Sequence, residues 1–321
     1  MIKKNQKPFM PFEEQWMKYR PERGMLDEMN KIVDWRKIGW QLERMYKRDK
    51  GRPAISPLGM FKLLLLEYYY DLSDVQVVRE LHDRLSFQRF TEIDVHVHQV
   101  DDSTIVRFRD RLEESGRMEK VYKLFNEQLE AKGYIIKKGT IIDSTLVKSH
   151  NKPGKSDSNG GILDPDAEWT IRDGESHGGY KVSISVDEES ELIREVMVTG
   201  AATHDSILFE DMVIGDEETV YADKGYASEA NREYLWCLGI RDGICHKGYR
   251  NRPLLGWQVS LNKKLNRHRA AVERKFAEAK ERHGMRRFRY SGILRNKIQA
   301  FATAMIINMK RALKLPQLIH A

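Results

Sequence analysis

Cysteine is scarce: Cys237 and Cys245 are the only two in 321 residues. So few thiols, sparsely flanked by histidine, exclude a disulfide framework and a zinc site, and both read as buried thiols. No apolar run reaches the ~18 residues that a membrane-crossing helix needs, so no membrane partner is expected. Residues 1–20 lack an uninterrupted apolar stretch, which argues against a secretory leader and for a cytoplasmic protein. Acidic residues are nearly missing from one end. Between Ile244 and Ala321, 19 lysines and arginines stand against 3 acids, an excess of 16 in a chain whose total is only +7. A basic segment set against an acidic remainder is the electrostatic footprint of a polyanion binder; a solvated basic surface is the plainer alternative.

Residues 1–135 read as an all-helical domain. Ser56 before Pro57 is an N-cap followed by proline at the first helical position, Ser73 and Gln76 form a capping box, and Gly133 is a C-cap. Helices 57–71 and 73–85, joined by a tight turn, are equally consistent with a helix-turn-helix and with a helical hairpin packed for stability. Tyr68, Tyr69 and Tyr70 read as core and rim. Asp101 and Asp102, at a helix start, read as caps and not as ligands.

From 136 to 315 the pattern changes. GTIIDSTLV is a strand rich in β-branched residues, and 149–176 is polar and rich in Gly, Pro and Asp, a long loop. A hairpin follows at 178–199, then a helical HDSILFEDMVIG, strand ETVYAD, a helix over 228–239 and strand IRDGICHK. Two helices close the chain, over 261–283 and 293–314. Strands interleaved with helices predict an α/β fold with a mixed-sheet core.

Three carboxylates stand out in that frame: Asp143 and Asp223 at ends of apolar strand-like runs, and Glu273 inside the basic helix. Arg269 lies four residues before Glu273 and Lys280 seven after it. At ~100° per residue the three side chains fall within about 40° of one helical face. Hard oxygen donors at one sheet edge would select Mg²⁺ or Mn²⁺, and two such ions can assist in-line phosphoryl displacement. Each carboxylate alone is also explicable as a cap, a turn former or a helical ion pair.

The combination resembles the DDE transposases of bacterial insertion sequences, in particular the insertion sequence five family. The matching segments are Asp143-Ser144-Thr145, Asp223-Lys224-Gly225-Tyr226, and Arg269, Glu273 and Lys280 in an R-x3-E-x6-K pattern. HGGYK at 177–181, THD at 203–205 and DDSTIVRFRDRLEE at 101–114 extend the match. The resemblance implies an RNase H-like catalytic core and a DDE metal site of Asp143, Asp223 and Glu273 holding two Mg²⁺ or Mn²⁺ ions. It further implies cleavage and joining of double-stranded DNA at terminal inverted repeats, by a homodimer or larger assembly. One departure is Asn266, where insertion sequence four relatives have tyrosine three residues before the arginine. The short spacing from Asp223 to Glu273 leaves no room for a large β insertion.

Arg269 and Lys280 are expected at phosphates near the scissile bond, with Lys181, Lys224 and Tyr226 lining the same cleft. His177 and His204 are weaker candidates there. Arg286, Arg287 and Arg289, interleaved with Phe288 and Tyr290, form an expected DNA track. Trp236 reads as core; Trp169 and Trp257 are candidates for stacking on an unpaired base. The alternatives are an RNase H-like DNA endonuclease without strand transfer and a catalytically silent DNA-binding regulator.

Overall fold

Helix-start chemistry organises the first part of the chain. The structure, a computed structural model, describes residues 24–46, 54–172 and 174–315. One compact unit lies within 24–131 together with 312–315, and a second within 132–311. The first unit contains α1 (Met25–Ile32), α2 (Trp35–Glu43), α3 (Pro57–Tyr69), α4 (Asp74–Asp83), α5 (Leu85–Thr91), α6 (Asp102–Ser115) and α7 (Met118–Ala131). Ser56 Oγ accepts from Gly59 N at 3.2 Å to open α3. Ser73 and Gln76 exchange the two bonds of a capping box on α4, and Asp101 accepts from Thr104 N at 2.7 Å to cap α6. α3 is buried on nearly every side, from Met60 to Tyr68, while Tyr70 reaches the rim. Its buried Lys62 pairs with Glu92 at 2.8 Å, and its buried Glu67 pairs with Arg109 at 3.0 Å, because a charge taken from water needs a partner.

The second unit is built on a sheet of β1 (Thr140–Lys148), β2 (Glu168–Arg172), β3 (Glu175–Asp187), β4 (Ile193–Gly200), β5 (Thr219–Ala222) and β6 (Arg241–Ile244). The order β2-β3-β1-β5-β6 has β4 beside β3; β3 is antiparallel to β1, β2 and β4, and β1, β5 and β6 are parallel. This mixed sheet is RNase H-like. A 3₁₀ turn (Asp205–Leu208), α8 (Phe209–Met212) and α9 (Glu229–Cys237) cover one face, where Ile142, Phe209, Val220 and Leu235 form the core. α10 (Gly256–His268) leads into α11 (Ala270–Arg282), which with α12 (Ile293–Ala312) covers the other face, with Thr145, Val147, Val182 and Ile184 against Phe276, Ala300 and Ile307.

Four expectations need correction. The loop expected over 149–176 holds β2, whose Trp169 and Ile171 alternate on an exposed edge strand that pairs with an unexpectedly long β3. The helix expected over 261–283 starts earlier and breaks at Arg269 into α10 and α11. Tertiary contacts flank that break: the His268 ring stacks on Tyr221 at 4.3 Å, and Arg269 reaches into the sheet. Trp236, expected in the core, is 79% exposed, because α9 buries Asn231 and Leu235 and the next residue turns about 100° away. Cys237 is likewise exposed, whereas Cys245 is buried. No described helix is long and apolar enough to cross a membrane.

Candidate active site

The parallel register of β1 and β5 sets Ile142 opposite Ala222. The next residue on each chain segment is an aspartate, so Asp143 and Asp223 emerge side by side, with roughly the 4.8 Å spacing of neighbouring strands. Side chains alternate along β1. Asp143 has the parity of Thr145 and Val147 and faces α11, while Ser144 has the parity of Ile142 and faces the opposite side.

One guanidinium spans the two carboxylates. Arg269 Nη2 donates to Asp143 Oδ2 at 2.7 Å, and Nη1 lies 3.9 Å from Asp223 Oδ1. Nη1 is also 3.5 Å from Asn266 Oδ1, the position where some relatives carry tyrosine. Arg269 Nε is buried and has no hydrogen-bond partner. Burial pushes the Asp143 carboxyl up; Arg269 opposes this, and the neighbouring Asp223 adds to the rise. At the other end of α11, Lys280 Nζ donates to Thr145 Oγ1 at 2.6 Å. Burial pushes its ammonium down, and the nearby Arg172 and Arg286 push the same way.

Glu273 is exposed on α11. Its amide donates to the Arg269 carbonyl at 3.3 Å, so the helical register joining them survives the break. Asp143 and Asp223 are therefore brought together, and Glu273 does not join them: among the described residues no three acidic, His or Cys side chains converge as a metal-holding group. In donor type the aspartate pair fits a hard divalent cation, since both offer carboxylate oxygen and Asp143 is largely desolvated.

Beyond Lys280 a cavity of about 380 Å³ opens, ringed by Lys148, His177, Lys280, Arg286 and Arg287. Its arginines are held firmly. Lys148 N donates to Arg286 O at 3.2 Å and Phe288 N to Lys148 O at 2.8 Å, which pins 286–288 beside the end of β1. Met285 and Phe288 are buried, so Arg286 and Arg287 between them are displayed outward. Arg286 also pairs with Glu281, and Arg289 stands outside this ring, half-buried.

Two residues expected in the cleft lie elsewhere. Lys181 belongs to the opposite face, because Val182 and Ile184 point toward α11 and α12; its Nζ pairs with Asp205 Oδ1 at 2.7 Å. Tyr226 is 1% exposed, with its ring 6.0 Å from Phe209, so it is a core residue and not a DNA-facing one. Lys224 is exposed just past Asp223, and its amide donates to that carboxylate. His204 caps the 3₁₀ turn, accepting from Ser206 N at 3.2 Å. Trp169 and Trp257 are 51% and 58% exposed. Residues that sequence reading did not single out are Ser144, Lys148 and Asp205. Asp205 stood in the THD segment but carried no distinguishing signal of its own.

Residues 136–309 match the transposase DDE domain family, and residues 14–111 match a second transposase domain family, DUF772. The chain belongs to the DDE transposases, enzymes of the polynucleotidyl transferase class. Among solved structures it is similar to a piggyBac transposase synaptic complex with hairpin DNA, at 11% identity and a TM-score of 0.45, covering 90% of this chain and 73% of that one. It is also similar to a pre-cleavage Mos1 transpososome, at 12% identity and a TM-score of 0.25, covering 84% of this chain and 80% of that one.

Proposed function

We propose that the protein is an insertion-sequence transposase of the insertion sequence five type that cuts and joins DNA ends at Asp143, Asp223 and Glu273. The observation that carries this reading is the pair of register-neighbouring aspartates spanned by one half-buried guanidinium. Asp143 and Asp223 would hold divalent metal, two Mg²⁺ or Mn²⁺ ions per site, with Glu273, one turn beyond Arg269, as the third donor. When bound, such ions activate the attacking oxygen and stabilise the leaving oxygen of an in-line displacement.

The chain's own groups do the rest. Arg269, whose side chain keeps 16% exposure beside the aspartate pair, is the cation placed to meet a phosphate oxygen beside the scissile bond. Lys280, pushed toward neutrality by burial and two nearby arginines, gains its missing counter-charge from a DNA phosphate. The strand continues over the cationic cavity, where Lys148, Arg286 and Arg287 hold its backbone. Double-stranded terminal inverted repeats and target DNA are the partners. Two ends must meet, so the working form is at least a homodimer, and the cytoplasm is the place of action.

The test is cleavage and strand transfer of labelled DNA carrying the flanking element's ends, with Mg²⁺ or Mn²⁺ and a Glu273→Gln control. Metal-dependent cutting and joining that disappear in the control are expected. Hydrolysis without joining would make the protein a nuclease, and binding with no chemistry in either protein would make it a silent DNA-binding relative.

A further inference from the structure

Behind the aspartate pair, on the opposite face of the sheet, sits a fourth carboxylate. Asp205 opens the 3₁₀ turn that follows β4. Its Oδ1 accepts from Ser144 Oγ at 2.9 Å and pairs with Lys181 Nζ at 2.7 Å; that ammonium also donates to the Thr203 carbonyl. Its Oδ2 packs on the turn after Asp223, so closely that a Cβ built on Gly225 would come within 3.3 Å of it. A single side chain thus bonds the residue after Asp143 and lies beside the second residue after Asp223. Lys181 holds it from the middle of β3, opposite Leu146 of β1.

The attachment is independent of the core's main fastening. Asn231, 3% exposed, already links the same two turns by donating to Ser206 O at 3.3 Å and Tyr226 O at 2.8 Å. Hydrophobic packing of Phe209 and Tyr226 adds to that link. Asp205 is therefore not needed to keep the turns together. It restricts how the two aspartates sit relative to each other, and its paired charge prevents it from competing for a cation.

We propose that Asp205, held by Lys181, is a positioning residue that fixes the separation of Asp143 and Asp223 from behind the sheet. This rests on the metal-site reading above. Carboxylates that tie down ligand-bearing segments act by orientation, and their loss typically costs about 10–100-fold in metal affinity or activity. Asp205→Asn keeps an acceptor for Ser144 but leaves the Lys181 charge unbalanced beside the site. Adding Lys181→Gln removes that charge and restores a neutral hydrogen-bonded pair.

The experiment measures Mn²⁺ binding to the full chain by electron paramagnetic resonance of the free ion, alongside Mn²⁺-dependent cleavage, duplex binding and thermal melts. In Asp205→Asn the Mn²⁺ concentration for half-saturation should rise about tenfold, with duplex binding and melting close to wild type. The double variant should return to within about threefold of wild type, a coupling expected only of groups acting together. Wild-type Mn²⁺ behaviour in both Asp205→Asn and Asp205→Ala would overturn the proposal. So would a large fall in melting temperature in both, which would make Asp205 a structural residue. Asp143→Asn is the control. If it loses Mn²⁺ binding while Asp205→Asn does not, only the positioning role fails; if it binds Mn²⁺ like wild type, the metal-site reading fails and takes this proposal with it.

Discussion

Among the arginines that bridge two carboxylates in the described residues, one from each unit invites comparison. Arg109, in the helical unit, meets Glu67 at 3.0 Å and Asp74 at 2.5 Å, with its side chain and that of Glu67 almost fully buried. Arg269, in the sheet unit, meets Asp143 at 2.7 Å and Asp223 at only 3.9 Å, with side-chain exposures of 16%, 15% and 33%. The chemistry is the same and the enclosure differs. The first triad sits among α3, α4 and α6, with only Asp74, at 26%, reaching solvent. The second is more open at its arginine and first carboxylate, and one of its two contacts is long, at 3.9 Å. A buried ion network holds elements together when closed; left incomplete at a surface, it can accept a ligand.

The largest effects would separate the two triads by readout. Asp143→Asn should reduce DNA cleavage about a thousandfold while leaving the melting temperature near wild type, because it relieves a desolvated charge. Glu67→Gln should do the reverse, lowering unfolding free energy by about 3 kcal/mol in denaturant titration through loss of half of a buried pair. Equal destabilisation by both changes would break the comparison.

A smaller effect concerns the open side. Arg287→Ala should lower the slope of log affinity against log salt by about 0.9, the release of one counterion per phosphate contact. An unchanged slope would remove the cavity from the DNA path.

The smallest effect lies in pairs of intermediate burial. Burial pushes Glu278 up, but Lys310 at 2.5 Å outweighs it and holds the carboxyl below the ordinary glutamate range; Arg274 and Lys275 do the same for Glu191. A depressed folded-state value adds stability above the unfolded glutamate pKa of ~4.3, and that stability drains as pH falls through the folded value. Thermal melts from neutral pH down to pH ~3 should therefore show a decline beginning below ~4.5, shallower in Glu278→Gln. An equal decline in that variant would assign the acid limb elsewhere.

Much of this was legible in the chain itself. Caps at Ser56, Ser73 and Asp101 are local chemistry, readable wherever a side-chain oxygen precedes a helix. β1 and β5 announced themselves through β-branched runs ending at aspartate. β2 did not, because its five residues sit in a polar segment and gain strand character only from β3. The alignment of Arg269 with Lys280 along α11 followed from helical period alone, and both reach β1. Lys181 and Tyr226 were misplaced because facing depends on strand parity and on what covers each face, which neighbours in sequence do not reveal. The break at Arg269 was invisible for the same reason: it is flanked by Tyr221, Glu188 and Asp143, all distant in sequence.

The alternation of β1 has a consequence for how this protein tolerates change. Asp143 and Ser144 are adjacent in sequence yet address opposite sides of the sheet, one toward Arg269 and one toward Asp205. Point substitutions at either can be judged separately, each by its own side. Deleting or inserting a single residue between Thr140 and Asp143 would instead exchange the two sides at once, sending the aspartate into the apolar layer of Ile142 and Phe209. Variation in this strand should therefore accumulate as replacements at constant length, and length changes should be confined to the connections on either side of it.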